Sequence, residues 1–142
     1  MASYRHLARI AVMQTIFEFE FHQKDDLDTK SMLAYNIKQL SSKIKETDFA
    51  NDTLKGVIKN LKKIREIISE NAPEWPVEKI APVDRAILEI GVYEIMYSDD
   101  VPPVVAINEA IEVAKVYGDT NSPKFINGVL SSVMTKHKKN AK

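Results

Sequence analysis

The side chains that could catalyse a reaction or bind a metal are scattered along this sequence. His6, His22 and His137 stand far apart and have no partners at the spacing of metal ligands, so we interpret them as surface residues. Glu109 and Glu112 are three residues apart, a spacing that a solvated helix face explains. The chain contains no cysteine, which excludes a disulfide scaffold, a thiolate metal site and a cysteine nucleophile. The sequence therefore predicts no metal and no cofactor.

The sequence motifs of several common enzyme classes are also absent. The chain contains no G-x-x-x-x-G-K-[ST] phosphate loop, no G-x-G-x-x-G fingerprint, no G-x-S-x-G and no H-E-x-x-H. An enzyme would therefore need an unusual site, and we assign no catalytic residue.

Charge is distributed unevenly along the chain, although its formal net charge is zero. Residues 74–112 contain nine acidic and two basic residues, a balance of −7, so the remainder carries +7. Cations with few opposing acids are concentrated near the two ends of the chain: Arg5, Arg9, Lys124, Lys136, Lys138, Lys139 and Lys142. Clustered cations of this kind bind the phosphates of nucleic acids. On composition alone, however, solvated helix faces explain these charges better.

The composition favours one helical domain in a reducing cytoplasm. With 142 residues, 44% of them hydrophobic, the chain can bury a core without disulfides or metals. Only four glycines and six prolines argue against a loop-rich sheet protein. Polar residues such as Arg9, Gln14 and Glu18 interrupt the apolar N-terminal stretch, so it is neither a secretory signal nor a membrane span.

Apolar residues recur at three- and four-residue steps, the period of amphipathic helices. The pattern predicts about six helices, near residues 3–21, 32–41, 48–71, 82–97, 103–117 and 122–135. The first of them should bury Phe17 and Phe21 at its C-terminal end, and Trp75 should fill the core between the third and fourth. Gly91 lowers helix propensity inside the strongest stripe, which indicates that a neighbouring helix approaches closely there. Residues 1–135 should form the domain and residues 136–142 a flexible basic tail.

Several stretches resemble the NusB family, and together they cover nearly the whole chain. The most specific are residues 101–115 (VPPVVAINEAIEVAK) and 121–130 (NSPKFINGVL). Residues 83–94 (VDRAILEIGVYE) and 5–17 (RHLARIAVMQTIF) are similar to the family as well, whereas residues 24–72 are the least diagnostic.

The resemblance implies an all-α fold of six to seven helices in two sub-bundles, with no enzyme activity. It also implies a cytoplasmic role in transcription antitermination, including the synthesis of ribosomal RNA. In that role the factor pairs with NusE, a small-subunit ribosomal protein, and the pair binds the boxA element of nascent RNA within the RNA polymerase antitermination complex. The preferred RNA sequence and the oligomeric state stay open, including a homodimer that hides the RNA surface.

The resemblance further implies positions for the contacts with RNA and NusE. The proposed RNA contacts on the first helix and around the start of the last one are Arg5, His6, Arg9, Tyr117, Asn121 and Lys124. Tyr117 could stack on an unpaired base, although a packed tyrosine at a helix end explains it equally well. Arg5 and Arg9 precede the first buried turns and should face solvent.

Phe17 and Asp84 fall where the resemblance places the contact with NusE. An acidic face is suited to a basic ribosomal protein. Because Asp84 lies off the apolar stripe of its helix, its replacement should cost little stability.

Two departures from the family pattern concern RNA affinity. Many members carry three or more arginines near the start, whereas this chain has Arg5, His6 and Arg9 with Leu7 between them, which would weaken RNA binding. Asn121 stands where an aspartate is common, and the loss of that negative charge would strengthen it.

Two other interpretations compete with this one, and the length of the chain disfavours the second. The thinned arginine cluster fits a helical bundle that binds proteins and has lost its RNA role. A NusB-like domain of the kind fused to ribosomal RNA cytosine methyltransferases would need a cofactor-binding α/β domain, for which 142 residues leave no room.

Overall fold

A computed structural model describes residues 4–22, 28–41 and 47–137 of the chain. These residues form seven α-helices, one 3-10 turn and no β-strand, which confirms the predicted all-α fold. The helices are α1 (Tyr4–His22), α2 (Thr29–Leu40), α3 (Asp48–Lys59), α4 (Leu61–Asn71), α5 (Pro82–Tyr97), α6 (Pro103–Tyr117) and α7 (Ser122–His137). The 3-10 turn, Val77–Lys79, lies between α4 and α5.

The chain divides into two compact units, Met1–Lys55 and Gly56–Lys142, with the boundary inside α3. Within the three described ranges, no helix combines the length and the apolar character that a membrane crossing requires. Lys136 and His137, which we assigned to a flexible tail, continue α7, and the rest of that predicted tail lies outside the described residues.

In the first unit, α1 packs against α2. The apolar residues buried on these two helices include Ala11, Val12, Ile16, Leu33 and Ile37. The buried amide of Asn36 on α2 donates to Thr15 Oγ1 at 2.9 Å and to Glu18 Oε1 at 2.8 Å. Because both acceptors belong to α1, this amide fixes the register of the two helices.

In the second unit, α5 contacts α4, α6 and α7. The residues buried there include Ile64, Ile68, Leu88, Val92, Ala106, Ala110, Ala114, Ile126, Leu130 and Val133. The alanines, all on α6, present the small-residue face that allows close helix packing. The close approach predicted at Gly91 is confirmed, since a Cβ there would lie 2.6 Å from Leu130 Cδ1 of α7.

The long helix predicted over residues 48–71 is wrong, because the structure breaks it at Asn60. The Asn60 side chain donates through Nδ2 to the carbonyl of Gly56 at 2.8 Å, and its backbone lies at φ −105° and ψ 16°. The backbone N–H of Asn60 also donates to the carbonyl of Gly56, at 3.1 Å, so the break is a local change of dihedral angles that keeps this helical hydrogen bond. The apolar period continues across Asn60, so the sequence pattern does not reveal the break.

Candidate nucleic-acid interface

Arg5 and Arg9 of α1 converge on one aromatic ring in the first unit. Their four-residue spacing places them on the same face of the helix. The guanidinium carbons lie 4.6 Å (Arg5) and 5.0 Å (Arg9) from the ring centroid of Phe49, near the start of α3. Cations over an aromatic face at these distances are attracted by the negative potential of the ring. Phe49 therefore helps to orient both of the arginines that we predicted to contact RNA.

The two arginines differ in exposure, which corrects the prediction that both face solvent. Arg5 is exposed, whereas Arg9 is only 4% exposed. Arg9 sits one turn further into the helix, beside buried residues such as Ala8 and Val12, and the ring of Phe49 covers its guanidinium. His6, the third proposed contact on this helix, is half-buried. Arg5 is thus the more accessible of the two arginines.

The remaining proposed RNA contacts lie in the second unit, where α6 ends and α7 begins. Asn121 and Lys124 are exposed, and Tyr117 is 38% exposed on the last turn of α6. The carboxylate of Asp119 accepts a hydrogen bond from the backbone N–H of Asn121 at 2.9 Å and so orders the turn between the two helices.

Asp84 is buried, which corrects the prediction that its replacement costs little stability. It is 8% exposed, and its Oδ2 accepts a hydrogen bond from Ser122 Oγ at 3.0 Å. Burial raises the pKa of Asp84, the hydrogen bond from Ser122 opposes that shift, and the negative charge of Asp119 adds to it. The helical period of α5 could not reveal this burial, because the covering residue comes from the start of α7, 38 residues away.

Phe17, the other predicted contact with NusE, belongs to an aromatic cluster at the end of α1. Its ring stacks on that of Phe21 with centroids 6.2 Å apart, and His22 meets Phe21 edge-on at 5.5 Å. Phe17 is partly exposed and Phe21 is 73% exposed, so the prediction that Phe21 is buried is wrong. Neighbouring exposed aromatic rings of this kind are typical of protein interaction sites.

The acidic segment, residues 74–112, presents less negative charge at the surface than its composition indicates. Of its nine acids, Asp84, Glu89 and Glu94 are buried. Glu89 Oε2 accepts from Arg65 Nε at 2.9 Å, so this carboxylate stabilises the packing of α4 on α5. The acids that remain exposed include Glu74, Glu78, Asp99, Asp100 and Glu112.

Trp75 is 52% exposed, so the prediction that it fills the core is wrong. It lines two clefts of the second unit, of about 340 and 530 Å³. Asn121 and Phe125 also line both clefts. Within the part of the chain that the structure describes, no group of three His, Cys, Asp or Glu side chains could hold a metal ion.

The comparisons with known proteins all point to one family. The model of the NusB family matches residues 6–135. The transcription antitermination protein NusB of Bacillus pumilus is 37% identical over 129 residues, which cover 91% of this chain and 93% of that protein. The corresponding protein of Carboxydothermus hydrogenoformans is 39% identical over 133 residues, 91% of each chain.

Solved structures give the same result. A structure of T. maritima NusB superposes with a TM-score of 0.80 at 32% identity and covers 96% of this chain and 94% of that one. A structure of the antitermination factors NusB and NusE in complex with dsRNA matches with a TM-score of 0.83, covering 96% of this chain and all of the matched one. Its 20% identity supports the shared fold alone.

Proposed function

Because the chain belongs to the NusB family, we propose that it is a transcription antitermination factor that binds boxA-like RNA together with NusE. The observation that carries the proposal is the match of the family model over residues 6–135, which includes His6 and Arg9 of α1 and the start of α7. In this role the protein acts in the cytoplasm on RNA that leaves RNA polymerase, and the role involves no catalysis.

The cations at the start of α1 support the RNA-binding part of the proposal. Arg5 is exposed, and Phe49 holds its guanidinium on one side, which reduces the freedom that the side chain loses on binding. An arginine can form two parallel hydrogen bonds with a phosphate group. Asn121 and Lys124 provide a second set of exposed polar groups at the start of α7.

The neutral net charge indicates why a partner is needed. Affinity for RNA rises with the number of phosphates that a protein neutralises, and among the proposed RNA contacts, all of them described, only Arg5 and Lys124 are exposed cations. RNA binding by the chain alone should therefore be weak and sensitive to salt. NusE, a basic ribosomal protein, would supply further cations, and Phe17 in the aromatic cluster of α1 is the proposed contact for it.

The proposal is tested by titrating a fluorescent, single-stranded boxA-like RNA with the chain, with NusE, and with both together. A scrambled RNA of the same length is the matched control. We expect the mixture to bind the boxA-like RNA more tightly than either protein alone, and more tightly than the scrambled RNA. Binding of NusE without any RNA binding would instead identify a protein-interaction bundle, the function that the burial of Arg9 favours.

A further inference from the structure

Trp75 is held at the surface by its backbone. The backbone N–H of Trp75 donates to the carbonyl of Ala72 at 3.0 Å and closes a turn after α4. Pro73 and Pro76 restrict the backbone on either side of it. Trp75 is nevertheless 52% exposed, so it lacks much of the burial that a tryptophan gains inside a core. A rigid backbone that presents a large aromatic surface to solvent is suited to a planar ligand.

The two clefts that Trp75 lines also contain polar groups. Lys79 lines the smaller cleft and Lys124 the larger, so an exposed cation lies in each. Asn121 lines both clefts, and its side-chain amide can both donate and accept hydrogen bonds. These groups match the parts of a nucleotide, whose base has a flat face and a polar edge and whose phosphates are negative.

Gly128 leaves the larger cleft open. It lies inside α7, where glycine lowers helix propensity by about 1 kcal/mol relative to alanine. A Cβ at this position would have no neighbour within 4 Å, so no close packing of helices requires the glycine. Gly128 lines the larger cleft together with Trp75 and Lys124, where a side chain would take up space.

We propose that Trp75 is a nucleobase-binding residue, on which one unstacked base of single-stranded RNA stacks while Lys79 and Lys124 contact the flanking phosphates. This inference rests on the proposed function and adds to it a site at which one unpaired base of the RNA is held. In the smaller cleft Ser122 donates to Asp84 and the N–H of Asn121 donates to Asp119, but both acidic side chains share this cleft with Lys79, so the larger cleft beside Lys124 is the better site for a phosphate. A cationic peptide, the alternative ligand for an exposed indole, would meet Lys79 and Lys124.

The test uses Trp75 as its own reporter, since it is the only tryptophan in the chain. A single-stranded boxA-like oligonucleotide should quench the indole fluorescence of the chain in the absence of NusE. Removal of a base–aromatic stack lowers affinity by about 5- to 150-fold. In the complex with NusE, Trp75→Ala should therefore lower the affinity for RNA by a factor in that range. Trp75→Phe keeps an aromatic face for stacking and should retain part of the affinity that Trp75→Ala loses.

Two further measurements separate stacking from a loss of charge or structure. The slope of log affinity against log salt should be unchanged in Trp75→Ala, because no phosphate contact is lost, whereas Lys124→Ala should lower it by about 0.7. A series of RNAs, each with one abasic position, locates the stacked base. For one of these RNAs, binding to the unaltered chain should be weaker than that of the intact RNA. The same abasic RNA and the intact RNA should bind Trp75→Ala equally well. Tyr35→Ala, which removes a 64% exposed aromatic residue from α2, is the matched control and should have no effect.

The possible failures are distinguishable. Equal RNA affinity of Trp75→Ala and the unaltered chain would overturn the base site and leave the proposed function standing. If Trp75→Ala loses NusE binding but binds RNA normally, the base site is overturned as well, and Trp75 is a protein contact. If the unaltered chain and NusE together do not bind RNA, both proposals fail.

Discussion

Replacement of Arg5 and Arg9 by alanine, one at a time, should separate RNA binding from folding, because the structure gives the two arginines different surroundings. Arg5 is exposed, so its charge is available to a phosphate, and its contact with Phe49 adds little to stability. Arg9 is 4% exposed, so its aliphatic stem and guanidinium contribute to packing. We expect Arg5→Ala to affect mainly RNA affinity and Arg9→Ala to affect mainly the free energy of unfolding.

The magnitudes follow from these surroundings. Loss of one phosphate contact by Arg5 should lower the log–log salt slope for single-stranded RNA by about 0.7. A desolvated cation–π contact contributes about 2 kcal/mol, and the lost packing of the Arg9 stem adds to that. At roughly 2–4 °C per kcal/mol for a domain of about this size, loss of the cation–π contact alone corresponds to about 4–8 °C, so Arg9→Ala should lower the Tm by at least about 4 °C. Arg5→Ala should lower it by less than about 4 °C.

The assay combines fluorescence anisotropy of a boxA-like RNA at several salt concentrations with thermal unfolding followed by circular dichroism. NusE is kept at saturation so that only the RNA affinity varies. Lys38→Ala removes an equal charge from an exposed position on α2 and is the matched control. Phe49→Leu keeps an apolar side chain but removes the aromatic face, and should lower both the RNA affinity and the Tm. The reasoning is refuted if Arg9→Ala lowers the salt slope at an unchanged Tm while Arg5→Ala leaves the slope unchanged.

Two further predictions concern the second unit. Gly91→Ala should destabilise the fold by up to about 2 kcal/mol in urea unfolding, because overpacking against Leu130 costs about 1–3 kcal/mol and improved helix propensity returns about 1 kcal/mol. Leu130→Ala should destabilise the Gly91→Ala variant less than it destabilises the wild type. A Gly91→Ala variant that is more stable than the wild type would disprove the close approach. Because burial raises the pKa of Asp84 above its ordinary 3.8, the folded state binds that proton more tightly than the unfolded state, and stability from this group falls as the pH rises through the raised pKa. Asp84→Asn removes this titration. The free energy of unfolding of the variant minus that of the wild type should therefore increase from pH 3.5 to pH 7. If this difference does not change with pH, the pKa of Asp84 is not raised in the folded state.

Features of the fold that depend on local periodicity could be predicted from the sequence. The stripe from Ile87 to Ile95 defines α5, and a glycine inside so regular a stripe predicts a close helix contact, which Leu130 makes. The prolines at Pro82 and Pro103 mark helix starts because a proline at the first helical position loses no backbone hydrogen bond.

Features that depend on distant residues could not be predicted in this way. Asp84 looks like an exposed acid at a helix start until Ser122 is known to cover it. Trp75 looks like a core residue because tryptophans are usually well buried, and only the turn at Ala72 shows that it projects into solvent. The contact of Arg9 with Phe49 joins α1 to the start of α3, so neither helix pattern alone contains it.

The central claim, that this chain and NusE bind RNA as one unit, is tested most directly by measuring the coupling between the two ligands. RNA affinity is measured without NusE and at saturating NusE, and NusE affinity is measured with and without RNA. The account predicts that each ligand strengthens binding of the other by the same factor, about 5- to 150-fold, and that Arg5→Ala lowers RNA affinity both with and without NusE. RNA affinity that is the same with and without NusE would contradict the account.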